Sequence, residues 1–319
     1  MVSHLQEAYG LRVFDFPGPK ETPRHPLPEA DAVAWRVSSD TYDSEESWTE
    51  AFARFAAAVD LGQVRAIVVG AWEEAYEESP EPIIEALLGA RTRLTSLRSL
   101  FLGDMESEEC EISWIQQGDV TPLLAGFPEL EEFGVRGGTG LVFPAVTHER
   151  LRSLTVQTGG MPAEAVRGVA ASDLPALVAL DLWLGTDSYG GDCSVEDLAP
   201  ILDGSRLPSL RHLALHNSDI QDGIAAAMAS APVVPRLEVL DLSMGVLTDE
   251  GAAALLGGQP LTHLKRLDLH HNYLSEPMRQ RLRDTLESAG VALDVDAGNA
   301  YPDEDEDDGR VWRYVAVGE

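Results

Sequence analysis

Apolar residues along this chain return in one frame, spaced 21 to 33 residues apart. A leucine, two residues, a second leucine, one residue and a third apolar residue recur as Leu264, Leu267, Leu269, as Leu237, Leu240, Leu242, as Leu210, Leu213, Leu215 and as Leu177, Leu180, Leu182. Upstream the frame starts at Leu151, Leu130, Leu97 and Val64, with degraded copies at Ala32, Trp35, Val37 and at Leu293, Val295. Alternate residues of a strand face opposite sides, so each copy predicts a short strand whose leucines point inward. Between the strands the period changes to the helical one. Trp48, Phe52, Phe55 and Val59 share one helical face, Pro82 suits a first turn, and Ser194 precedes Asp197 by a capping-box interval. "LTDEGAAALLG" and "SEPMRQRLRDTLESAG" complete the predicted helices, whereas the short unit from Leu130 to Leu151 leaves no room for one.

No unit of this kind can bury its apolar edge alone, so neighbours stack into one continuous core. The units resemble leucine-rich repeats of the ribonuclease-inhibitor-like class, and "LDLSMGVLTDEGAAAL" from Leu240 carries that resemblance best. The fold it implies is an α/β solenoid or horseshoe, with a parallel sheet of nine or ten strands on the concave face and helices on the convex face. The turn position that the class fills with Asn or Cys holds Trp72, Met105, Gly138, Gly159, Gly185, Ser218, Gly245 and Asn272 here, and only the last conforms. Residues 1–30 read as an N-terminal cap, 31–296 as the solenoid, and 297–319 as an acidic linker with a strand-like cap. "FDFP", "LRSLTVQTGG" and "RYVAVGE" further resemble a bacterial cytoplasmic leucine-rich repeat family encoded beside radical S-adenosylmethionine, hydrolase-like and ATP-grasp-like proteins. That resemblance implies an accessory protein of a modification or biosynthetic pathway.

The residues between the leucines face out of the sheet. Asp181, Asp241 and Asp268 share one column, Trp183, His216 and His270 share the next, and His212 and Arg266 flank them. These eight are the candidate concave-face binding residues, expected to face solvent. Three long strand-to-helix loops add a candidate rim of Trp72, Tyr76, Trp114 and Tyr189 among many carboxylates. Aromatic anchors ringed by negative charge suit a basic partner; the competing expectation is a solvated acidic edge with its aromatics in the core.

Charge narrows the partner. The chain has 54 acidic against 23 basic side chains, a formal charge of −31, which argues against nucleic acid and against an anionic membrane surface. There is no secretory pattern at the start and no apolar run of transmembrane length, so a cytoplasmic location is expected. Cys110 and Cys193 are too few for a disulfide framework and lack zinc-ligand spacing. No phosphate loop, HExxH or GxSxG is present, so no cofactor, resident metal or catalytic residue is expected. The expected function is therefore a non-catalytic scaffold for a protein or peptide. Two alternatives remain. One is a metal-dependent enzyme built on the Asp/His column. The other is a calcium-responsive module, since Glu304, Glu306, Asp308 and Gly309 match the start of a calcium loop whose last position is Val315 instead of Glu.

Overall fold

The leucine frame sets the architecture. A computed structural model describes residues 2–21, 26–304 and 311–319. Among them, twelve strands form one open sheet whose order follows the sequence: β1 Glu7–Ala8, β2 Leu11–Asp15, β3 Ala34–Val37, β4 Ala66–Val69, β5 Ser99–Leu102, β6 Glu132–Arg136, β7 Ser153–Gln157, β8 Ala179–Gly185, β9 His212–Ser218, β10 Val239–Asp241, β11 Arg266–Asp268 and β12 Ala292–Asp294. All neighbours from β2 to β12 are parallel, and the central leucines stack in register: Leu154 beside Leu180, Leu213, Leu240, Leu267 and Leu293. This is a leucine-rich repeat solenoid.

Helices α1 Trp48–Ala58, α2 Glu81–Gly89, α3 Thr121–Gly126, α4 Ala163–Ala171, α5 Ala199–Asp203, α6 Gln221–Met228, α7 Asp249–Gly257 and α8 Glu276–Leu286 close the units. Ser47 starts α1 with a complete capping box, and Trp48, Phe52 and Phe55 of that helix enter the core. The unit after β6 lacks a helix, and buried His148 organises the bend there. Its Nδ1 accepts from the Leu151 amide at 3.0 Å, and its Nε2 lies 3.2 Å from the Phe127 carbonyl.

The sheet gains strands at its N-terminal edge beyond the predicted nine or ten. β2 pairs with β3, and the tight turn at Tyr9 and Gly10 folds β1 back on β2. The other end differs from expectation. Val311–Trp312 pairs with Asp303–Glu304 as a separate two-stranded ribbon, and the segment after it leaves the last strand altogether. It runs back along the C-terminal ends of the strands, bonding in turn to Tyr273, Met244 and Asn217. Glu306, Asp308 and Gly309 of the calcium-loop match lie outside the described residues.

Candidate functional site

Two stretches of the concave face have opposite character. Over β3 to β6 the outward positions are almost all buried. The N-terminal segment lies across them, held by a carboxylate that the sequence reading passed over. Asp104 is fully buried just after β5; it takes Arg36 at 2.9 Å, Arg136 at 3.3 Å and the Leu5 amide at 3.0 Å. The two guanidinium groups spend their remaining donors on the Leu5, Ser3 and Met105 carbonyls, on Asp15 and on Gln157. His4 bridges toward the same turn, its Nε2 3.2 Å from Glu109. Buried charges persist only when paired and hydrogen-bonded, and here nearly every donor has an acceptor.

From β8 to β12 the outward positions are mixed: His216, Ser243 and Asp268 are buried, while Asp181, Trp183, His212, Ala214, Asp241, Arg266 and Asp294 are half-buried or exposed. Register aligns Asp181, Ala214, Asp241, Asp268 and Asp294 in one row across five strands. His216 sits between two of them with 6% of its surface exposed, 2.8 Å from Asp181 through Nε2 and 3.5 Å from Asp241 through Nδ1. Burial pulls its pKa down, but the bonds and charges of Asp181 and Asp241 outweigh that and raise it to about 10. That direction favours the imidazolium at neutral pH. Trp183 meets its ring edge-to-face at 5.6 Å. One repeat further, Asp268 accepts from Arg266 at 2.6 Å and from His270 Nδ1 at 2.8 Å, and the Asp268 bond raises the His270 pKa. Asp268, His270 and Asp294 each offer a ligand atom, all within 4.8 Å of one another.

Several expectations need correction. His216 and Asp268 are buried, and Trp183 is half-buried, because side chains from adjacent strands close over one another. His212 and Arg266 do face solvent, and Asp181, Asp241 and His270 are partly accessible. The rim does not assemble as one site. Trp72 is 2% exposed and enters the core, its indole N–H donating to the Glu78 carbonyl. Tyr76 stacks on Tyr42 at 5.4 Å, Tyr189 lies against Gly318, and only Trp114, at 55%, stands in solvent. The sequence reading missed Asp294, whose place one frame beyond Asp268 is visible in "GVALDV", and Asn217, which nothing in the pattern marks. Both cysteines are unpaired, and burial raises the Cys110 thiol to about 11 and the Cys193 thiol to about 12. Among the described residues no helix is long and apolar enough to cross a membrane.

No family model matches the chain, and no curated protein matches it. Solved structures do. A structural-genomics protein from Bacteroides fragilis is similar over 86% of this chain and 74% of its own, with 28% identity and a TM-score of 0.74. A leucine-rich repeat protein of Leptospira interrogans is similar over 74% of this chain and 49% of its own, with 15% identity and a TM-score of 0.36.

Proposed function

We propose that this protein is a cytoplasmic, non-catalytic interaction scaffold of the ribonuclease-inhibitor-like type, and that β8 to β12 receive a basic segment of a protein or peptide partner. The carrying observation is the in-register row of Asp181, Asp241, Asp268 and Asp294 on the stretch of sheet that the N-terminal segment leaves uncovered. His216 and Arg266 offset part of that charge, so the carboxylates with most acceptor capacity left are the partly accessible Asp181 and Asp294, the latter near His270. Guanidinium and ammonium groups suit such acceptors, and the field of a chain at −31 favours their approach. The resemblance to proteins encoded beside radical S-adenosylmethionine, hydrolase-like and ATP-grasp-like proteins supports an accessory role in a modification or biosynthetic pathway.

Titration of a fluorescent arginine-rich nonapeptide, against a glutamate-rich control, tests this reading. The basic peptide should bind, weaken as salt rises, and lose about tenfold affinity, about 1.4 kcal/mol, in an Asp181→Asn, Asp294→Asn variant. Equal binding of both peptides would remove the reading. The convergence of Asp268, His270 and Asp294 favours one alternative, a divalent-metal site on the same face. Calorimetric titration with Zn²⁺ or Mn²⁺ decides it: stoichiometric binding lost on Asp294→Asn would move the site from peptide to metal chemistry.

A further inference from the structure

The C-terminal segment points to a second surface. It lies in a lane along the C-terminal ends of β7 to β11, where the repeat class carries its asparagine ladder and this chain instead carries Gly159, Gly185, Ser218 and Gly245. The missing side chains leave room for backbone: a Cβ on Gly159 would fall on the Gly318 carbonyl. Tyr314 exchanges two hydrogen bonds with the Tyr273 hydroxyl, at 2.8 and 3.0 Å, and the Ala316 amide donates to the Met244 carbonyl at 2.8 Å. Asn217, fully buried and held at φ 50°, clamps the next residue at both ends. Its Oδ1 accepts from the Val317 amide at 2.9 Å, and its Nδ2 donates to the Val317 carbonyl at 2.6 Å. The Val317 side chain enters a small apolar cluster of Val2, Ile112, Trp183 and Met244, separate from the main core.

An amide that reads one residue's N–H and C=O recognises extended backbone of any sequence, and the cluster beneath asks for one small apolar side chain. The resident segment is an incomplete fit. The Trp183 indole nitrogen is buried beside it with no hydrogen-bond partner, as is the Ser113 hydroxyl, which packs near Gly159. Leaving a buried donor unmet is costly, which gives an occupant with a suitable acceptor an advantage over the resident one.

We propose that this lane is a peptide-binding groove, filled in cis by residues 314–319 and open to a partner's extended segment with a small apolar residue at the Val317 place. The lane adjoins the acidic row at Trp183 but uses no carboxylate of it, so either assignment can fail alone.

The test uses the full chain and a fluorescein-labelled heptapeptide, RYVAVGE. Val317→Asp places a carboxylate in the apolar cluster and so disengages the resident segment; Ala316→Pro does the same by deleting the amide bonded to Met244, and guards against misfolding of the first variant. Both should melt as cooperative proteins and bind the peptide at least tenfold more tightly than the wild type, with little dependence on salt. Adding Asn217→Gly, which keeps the left-handed backbone and removes the clamp, should abolish that gain. Folded Val317→Asp and Ala316→Pro variants that bind no better than the wild type would overturn the proposal. So would a gain that survives Asn217→Gly, and so would a gain that vanishes at high salt, which would return the peptide to the acidic row.

Discussion

Strands β3 to β6 and strands β8 to β12 follow one frame, yet the outward face of the first set is buried and much of that of the second reaches solvent. The difference lies in what the outward positions carry. In the first set Arg36, Val68, Phe101 and Arg136 present two cations and two apolar side chains, which the N-terminal segment and Asp104 cover. In the second, a row of aspartates is met by histidines and one arginine from the same sheet, and the C-terminal segment packs only beside it, against Trp183 and Met244 at the strand ends. A solenoid thus spends one stretch of its concave surface on its own chain and leaves the other for something else.

The sharpest way to break this contrast is at Asp104. Asp104→Asn removes the counter-charge of two buried arginines and should cost about 3 kcal/mol or more in urea unfolding, since an uncompensated buried charge is far more expensive than a lost surface pair. A loss under 1 kcal/mol would mean that the covered stretch is held by apolar packing instead.

His216 is the nearest equivalent in the open stretch, and its effect should be smaller because Asp181 remains partly in water. His216→Asn should cost about 2 kcal/mol at neutral pH. The pH dependence has a definite sign. A histidine whose folded pKa is raised to about 10 contributes fully below its unfolded value near 6.5, and that contribution is lost as pH climbs through 10. Thermal melts of the wild type should therefore fall between pH 7 and pH 10 by more than those of His216→Asn. Parallel curves would show that the imidazole is neutral in the folded protein.

What the sequence disclosed divides along the same line. The leucine frame predicted the shared stack from Leu154 to Leu293 because a repeated period needs no knowledge of what lies far away in sequence. The cover over β3 to β6 was not legible. Residues 2–8 carry no strong pattern, and the Arg36–Asp104–Arg136 network joins positions 68 and 32 residues apart that share no motif. Trp72 misled for a related reason: it stands in a loop rich in glutamate, but the loop turns inward there. The glycines at the asparagine position were a legible oddity, and the C-terminal segment lying against Gly159 supplies their physical use.

Equivalent frame positions offer a finer comparison. Gly134 in β6 and Ala214 in β9 both occupy the fifth position, but a Cβ on Gly134 would clash with the edge of the Phe101 ring at its Cδ2. Gly134→Ala should cost about 1–2 kcal/mol through overpacking. Ala214→Ser, on the accessible stretch, should stay within about 0.5 kcal/mol. Similar losses at both positions would show that β9 is as tightly covered as β6.

The smallest stability effect belongs to Asp294, and it separates a site from a mere field. Asp294→Asn lies on the edge strand with no ion-pair partner among the described residues, so its unfolding free energy should stay within about 0.5 kcal/mol of the wild type. Affinity for the arginine-rich peptide should nevertheless fall at least threefold at low salt, where the Debye length exceeds 10 Å. Glu81→Gln provides the control, because it removes the same charge from the exposed start of α2 on the convex side. If a net charge near −31 merely attracted cations to the whole surface, the two variants would weaken binding equally. A local site requires Asp294→Asn to exceed Glu81→Gln, and requires the gap between them to close as salt screens the row.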